Sequence, residues 1–443
     1  MSTKAWEGLV VDALRAFAGW KEASRQSRRQ LLEAWSEEVA LVREELALGI
    51  TAETGKPITL SRGEVGRAEM TLKATIEAIA SFGEVAIPYD LMPGAEGCRA
   101  VLRRFPLGPV LAITPFNFPV NLAMHKIAPA LGAGCSVIWK PCPQAPHTSR
   151  LLWESFEAAR LRVSAPVHLL QLTGPDPVAA EELARDHRIA AVSFTGSERV
   201  GRHLEKVLVG KRLLLELGGN GAVVVDEGVD AGAVARQIAP ASVAGAGQSC
   251  SKAQRIYVHR QLWEAFAPAF VEAVKALPVG DPMDPTIVVG PLIDEATAQR
   301  VDEALDRTVA KGAEVLLRGQ RQGALLPPAI LTGVPEDDPF QCEEAFSPVT
   351  VLTCVQSFDE GLERAAATRF GLRASAYSRD QGHLRLAASK LRAGGVLLNL
   401  PPTFRLDAAP FGGIGASGNG FEGPAWAMEG FTEGRLIVEG PAL

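Results

Sequence analysis

Cys250 closes the run GAGQSC, residues 245–250, just ahead of the β-like run 254–258. A thiol that follows a glycine-rich turn can be reached from solvent, and its ionised form is a strong nucleophile. A cysteine nucleophile acting on a carbonyl needs an oxyanion donor, a base for the second step and a hydride acceptor. Each has a candidate. Glu216 in LLLELGG is an acid at the end of an apolar run beside two glycines, where desolvation favours the neutral form and where it could serve as a general base. Asn117 in TPFNFP is stiffened by Pro115 and Pro119, and a fixed amide can donate to a developing alkoxide. Gly196, Ser197 and Gly201 in FTGSERVG follow a strand and open a helix, a place where backbone N–H groups can hold a pyrophosphate. Lys140 ends the run SVIWK and could hold ribose hydroxyls or a phosphate. Glu344 and Phe346 in EEAFSP could receive a ribose and a nicotinamide ring.

Taken singly, each residue has a plainer reading. Cys250 can be a small buried hydrophobe, the reading given to the other five cysteines. Glu216 can cap its turn, Asn117 can hold an Asx-turn, and the GxxxxG spacing can mark a tight strand-to-helix turn. Lys140 can be solvated, Glu344 a surface acid and Phe346 a core aromatic.

The elements that must position these groups show in the apolar periodicity. From Val110, short apolar runs alternate with helix-length segments: VLAIT, a helix near 121–131, SVIWK, a helix near 148–161, VHLLQL, AAVSFTG, a helix near 198–208, then RLLLELGG and AVVVD. The alternation predicts a parallel sheet with crossover helices that continues past residue 220. A second α/β region begins near residue 230, with helices over 261–277 and 294–311 and strands around Val349 and Val396. Residues 8–50 read as two amphipathic helices with a structural role. The segment 83–110 has two extended runs around a Gly/Pro turn and suits a protruding hairpin.

A chain of 443 residues exceeds a single core, and 47% apolar with 22% charged residues suits a globular enzyme. The net charge of −6 speaks against phosphate backbones and anionic lipid, so neither nucleic acid nor membrane is expected as a partner. The six cysteines show no CxxC pair and no zinc spacing, which fits reduced thiols, no metal and a cytoplasmic location.

In chain order, TPFNFP, WKPCPQAPHTS, SFTGSERVG, LELGGN, GAGQSC, EEAFSP and PFGGIGASGNGFEG resemble the motif series of the aldehyde dehydrogenase superfamily. The resemblance spans roughly residues 8–440, although the chain starts without the strands that open many members. It implies Cys250 as nucleophile, Glu216 as general base, and Asn117 with the Cys250 N–H as oxyanion donors. It implies a cofactor, NAD or NADP, bound by Thr114, Pro115, Lys140, Gly196, Ser197, Gly201, Leu217, Gly218, Glu344 and Phe346. The fold implied is α/β: a Rossmann-like cofactor domain over 1–83 and 107–217, a second α/β catalytic domain over 218–429, and a small β oligomerisation arm over 84–106 and 430–443. Family members pair such arms into homodimers or homotetramers.

Further resemblance of TFRLDAAPFGG to the lactaldehyde and non-phosphorylating glyceraldehyde-3-phosphate dehydrogenase branch makes Arg405 a candidate for anionic or hydroxylated aldehydes, though a salt-bridged loop arginine is the plainer reading. Leu122 and His125 would line the substrate entrance. Two residues depart from the pattern. Pro143 stands where many NAD-preferring members carry an acid, leaving both cofactors open, with His147 or Thr148 as further contacts. Ser347 replaces the usual glycine of the EExFGP motif. The competing readings are a CoA-acylating dehydrogenase, which Glu216 opposes because acylating relatives generally lack that base, and a catalytically silent scaffold or binding protein of the same fold.

Overall fold

Near-continuous apolar runs such as VLAI and VIWK suit strands covered on both faces, and that is how they are used. In the computed structural model, which describes residues 3–441 with side chains from residue 6, Val110–Ile113 and Val137–Lys140 are buried throughout. They belong to a five-stranded parallel sheet ordered Leu170–Leu172, Val137–Lys140, Val110–Ile113, Ala191–Thr195, Arg212–Glu216. The chain enters at the central strand, winds outward on one side, then returns to the other side. The carboxyl ends of Val110–Ile113 and Ala191–Thr195 therefore flank the point where the winding reverses, where doubly wound sheets open a ligand crevice.

The expected continuation of this sheet past residue 220 is corrected. Arg212–Glu216 is its last strand, and Ala222–Val225 pairs instead with Arg255–His259 and Arg373–Tyr377 in a second, seven-stranded sheet. That sheet is parallel except for its edge strand Glu314–Arg318. The turn between the two sheets explains the switch. Asn220 is buried and accepts from Arg255 Nε at 2.7 Å, and a β-carbon on Gly221 would stand 2.1 Å from the Lys252 carbonyl, so this glycine docks against the second sheet.

Among the described residues, four helices precede the first sheet, Thr3–Trp20, Arg25–Leu41, Arg43–Thr54 and Ile58–Ser81; the first three cover the stretch 8–50, where the periodicity suggested two. Val10 and Ala13 of the first pack with Leu111 and Ile138 of the sheet. Strands Val85–Ile87 and Arg99–Pro106 pair antiparallel, and Thr432–Glu439 adds along the latter to make a three-stranded sheet. The reading of the remaining cysteines as buried holds for Cys135 and Cys142 but not for Cys354, which is exposed where the strand Val349–Val355 nears its end. Among the described residues, no helix is long and apolar enough to cross a membrane.

Candidate active site

A cavity of about 950 Å³ runs from the reversal point of the first sheet to the start of the second. Its wall is assembled from strand ends. Pro115, Phe116 and Asn117 come from the loop after Val110–Ile113, Gly196 and Ser197 from the turn after Ala191–Thr195, and Glu216 to Gly218 from the end of the fifth strand. Cys250 arrives from the other side, on the loop between the helix Ala231–Val243 and the strand Arg255–His259. This loop is tightly wound: Gly245, Ala246 and Gly247 have φ of 60°, 57° and 65° in succession.

The electrostatics of the wall set the resting state. Glu216 is buried, and neither carboxyl oxygen has a hydrogen-bond partner. Burial, followed by the nearby Glu422 carboxylate, raises its pKa well above the ordinary value, so the neutral acid is favoured. Burial also pushes the Cys250 thiol up to about 12; the Glu344 carboxylate adds to this and Arg405 opposes it. Glu422 has the opposite balance. Burial disfavours its charge, but Lys126, His125 and Arg405 together hold it down to about 2. Lys126 Nζ donates to it at 3.1 Å and Arg405 Nη2 at 3.3 Å. Asn117 Nδ2 donates to the carbonyl of Gln248 at 3.1 Å, tying the amide to the cysteine loop.

Of the residues singled out in the sequence, Cys250, Glu216, Asn117, Pro115, Gly196, Ser197, Leu217, Gly218, Glu344, Phe346, Leu122 and Arg405 meet on this one wall. Four do not. His125 was expected at the substrate entrance, but it is fully buried behind the wall, 2.8 Å from Arg405 Nη2 and 3.0 Å from Asp407 Oδ1, because its helix Asn121–Ala133 is covered on every side. Thr114 is occupied internally, its hydroxyl accepting from Trp139 Nε1 at 2.9 Å. Gly201 lies inside the helix Glu198–Val207 against Leu217. Lys140 ends its strand at the carboxyl edge of the sheet, outside this wall. Nearby, the Glu53 carboxylate accepts from the backbone N–H groups of His147 and Thr148 at 2.8 and 2.9 Å, so both are engaged at the start of the helix Pro146–Arg162.

Sequence reasoning missed one whole side of the cavity. Thr59, Gly63 and Arg67, with Leu60 and Glu64, face it from the helix Ile58–Ser81. Their three- and four-residue spacing is the signal that could have found them. Arg67 binds Asp407 through Nε at 3.0 Å and Nη2 at 2.7 Å, and Lys56 pairs with Glu64 while lying over the Phe118 ring. Among the described residues, no group of acidic, histidine and cysteine side chains is arranged to hold a metal.

The wall fits a dinucleotide. Gly196 and Ser197 stand where a strand end meets a helix N-terminus, which suits a pyrophosphate. Gly218 lets the Glu344 carboxylate approach the backbone, since a β-carbon there would stand 2.4 Å from it. Glu344 itself is turned onto the Gly219 N–H at 2.9 Å, and burial raises its pKa to about 7. The volume accommodates a dinucleotide half together with a small carbonyl compound.

Comparison with known proteins agrees with this geometry. The sequence pattern of the aldehyde dehydrogenase family matches residues 2–437. A 3-sulfolactaldehyde dehydrogenase of Priestia aryabhattai is 36% identical over 433 residues, covering 96% of this chain and 90% of the relative. Aldehyde dehydrogenase 21 of Physcomitrella patens, solved with its reaction product succinate, superposes with a TM-score of 0.95 at 31% identity, covering 99% of this chain and 91% of that one. A glyceraldehyde-3-phosphate dehydrogenase of Methanocaldococcus jannaschii, solved with NADP, gives a TM-score of 0.94 at 31% identity, with 99% and 95% covered. Matched over nearly its whole length, the chain belongs to the aldehyde dehydrogenase family of oxidoreductases, which take NAD or NADP as acceptor.

Proposed function

We propose that this protein oxidises a small anionic or hydroxylated aldehyde to the carboxylic acid through a thioester on Cys250. The observation that carries the reading is the meeting of Cys250, Asn117 and an unpartnered, buried Glu216 on one wall. Once ionised, the Cys250 sulfur adds to the aldehyde carbon, and the new C–S bond leaves negative charge on oxygen. The Asn117 amide and the backbone N–H of Cys250 receive that charge, worth about 3–4 kcal/mol per donor in such sites. Glu344 and Phe346 would hold a nicotinamide riboside, with Gly196 and Ser197 on the pyrophosphate, and the group bound there would supply the hydride acceptor. The resulting thioester is attacked by water, whose proton passes to the Glu216 carboxylate as the C–S bond breaks and the acid departs. The sulfur leaves as thiolate, ready for another turnover.

Substrate class follows from charge. Arg67 and Arg405 both reach the wall, and both lean on one carboxylate, Asp407, with Arg405 Nε 3.6 Å from it. With Lys126, which pairs with Glu422 as Arg405 also does, three cations share two carboxylates, and this leaves positive charge to meet a sulfonate, carboxylate or phosphate. The similarity to a sulfolactaldehyde dehydrogenase, and to an enzyme that holds succinate, supports the same class. We assign the first sheet and its helices to cofactor binding and the second to catalysis. The three-stranded sheet, whose strand Thr432–Glu439 exposes Leu436 and Val438, is the arm through which a homodimer or homotetramer would form in the cytoplasm.

The test is rapid mixing with aldehyde and cofactor. Cys250→Ala should abolish turnover and any burst of reduced cofactor, whereas Glu216→Gln should keep the burst and lose steady-state turnover. Full steady-state activity in either variant defeats the assignment, and a dependence on added CoA would defeat hydrolysis.

A further inference from the structure

Lys252 has no part in the reaction just described, yet it is a cation only 3% exposed on the cavity wall, two residues after Cys250. Its Nζ donates to the carbonyl of Ser347 at 2.8 Å and also to that of Val349. Gln254 grips the same stretch from one step further along the chain. Its Nε2 donates to the carbonyls of Phe340 and Glu343 at 3.0 and 2.7 Å, and its Oε1 accepts from the Ala345 N–H at 2.9 Å. Every side-chain nitrogen and oxygen of these two residues is therefore spent on the segment 340–349, which carries Glu344 and Phe346.

That segment does little to hold itself. Between the short helix Pro339–Cys342 and the strand Val349–Val355 it has no regular structure. Phe346 sits at φ 41°, a left-handed conformation that a bulky residue resists, and the buried Ser347 hydroxyl has no hydrogen-bond partner. A β-carbon on Gly247 would stand 2.2 Å from the Ser347 carbonyl, so the cysteine loop and this segment are in direct backbone contact. Ser347, the departure from the family motif, is thus the residue whose carbonyl Lys252 holds.

Charge couples the same groups. Burial pulls Lys252 down to about 7 while Glu344 pushes it back up. Burial lifts Glu344 to about 7, with the Gly219 N–H and Lys252 lowering it and Glu198 raising it. An ammonium at this position favours the ionised carboxylate, the stronger acceptor for hydroxyl donors.

We propose that Lys252 is a positioning residue for the cofactor, clamping the 340–349 segment beside Cys250 and setting its own charge near the Glu344 carboxylate, which would accept hydrogen bonds from the hydroxyls of a ribose. The proposal rests on the reading of Glu344 as a cofactor ligand. Cofactor affinity, followed by quenching of tryptophan fluorescence during titration with NAD+ or NADP+ from about pH 5.5 to about pH 9, tests it. The wild-type protein should bind more tightly as pH rises through about 7. In Lys252→Met that midpoint should move up by about one unit, weakening binding on the order of tenfold at neutral pH, with the KM for aldehyde little changed. Lys252→Arg, permanently charged, should move the midpoint down. A midpoint in Lys252→Met equal to that of the wild type overturns the proposal. Should that variant not fold, Lys252→Arg decides alone: a lowered midpoint supports the proposal and an unchanged one overturns it. Glu344→Gln separates the two ideas. If it binds cofactor as the wild type does, the reading of Glu344 fails and the proposal falls with it. If it binds weakly while Lys252→Met is normal, only the present proposal is lost.

Discussion

The guanidinium of Arg405 lies 4.0 Å from the centroid of the Phe411 ring. Its Nη2 also meets Glu422 at 3.3 Å and His125 Nε2 at 2.8 Å. Burial, then Arg405 itself, lowers the pKa of His125, whose Nε2 stands between the guanidinium and Asp407 Oδ1, the latter 3.0 Å away. Held on three sides, the arginine reaches the cavity already oriented, and little rotamer entropy is lost when it meets an anion.

Replacing this arginine should separate charged from neutral substrates. Loss of a charge-assisted hydrogen bond costs about 1.5–3 kcal/mol, so Arg405→Met should lower kcat/KM for an anionic aldehyde by roughly 10- to 100-fold. A neutral aldehyde of similar size should lose much less. Equal losses for both in steady-state assays would assign Arg405 a purely structural role.

Turnover should rise with pH. Cys250 and Glu216 both have raised pKa values, and both must lose a proton before they act, so the rate should climb through the neutral range toward alkaline pH. Arg405 lowers both values, so in Arg405→Met the rising limb should shift further to alkaline pH. A pH–rate profile that falls across the neutral range contradicts the assigned roles.

Gly201 is a packing position. A β-carbon there would lie 2.4 Å from Leu217 Cδ2, so Gly201→Ala should push the helix Glu198–Val207 away from the strand end. Overpacking of this kind costs about 1–3 kcal/mol. Thermal unfolding should show a lower Tm, and the double variant Gly201→Ala, Leu217→Ala should lose less than the sum of the two single changes. The single variant should also raise the KM for cofactor, because that helix begins beside Ser197. An unchanged Tm would show that the helix shifts without strain.

His383 gives a stability signature far from the cavity. Its Nδ1 is 2.6 Å from Asp226 Oδ2, and this hydrogen bond raises its pKa above the usual 6.5. A histidine raised in the folded state stabilises fully below its unfolded pKa and loses that contribution as pH climbs through the folded one. The Tm gap between wild type and His383→Gln should therefore be widest below about pH 6.5 and should shrink above it. A gap that widens toward alkaline pH reverses the expected linkage.

Much of this protein is local information. The alternation of VLAIT, SVIWK and AAVSFTG with helix-length segments encodes parallel strands, because a strand buried on both faces must be apolar throughout and a parallel crossover needs a helix. The motif order from TPFNFP to PFGGIGASGNGFEG carries the family, because each motif is a strand end or turn whose chemistry is written in a few adjacent residues. Glu216, Cys250 and Asn117 stand out for the same reason.

What sequence spacing did not reach are the pairings between distant segments. The side of the cavity built by the helix Ile58–Ser81, and the grip of Arg67 on Asp407, join residues with no local signature of each other. The sheet that Ala222–Val225 joins was decided by how the Asn220–Gly221 turn docks, and the burial of His125 by how completely neighbouring elements cover its helix. The sequence by itself determined most of the strands, the family and the candidate reactive groups, since these depend on short-range chemistry. The tertiary structure alone decided which charges share a buried space, and hence the states of Glu216, Cys250, Glu344 and Lys252, because desolvation and Coulomb coupling depend on distances that only packing sets.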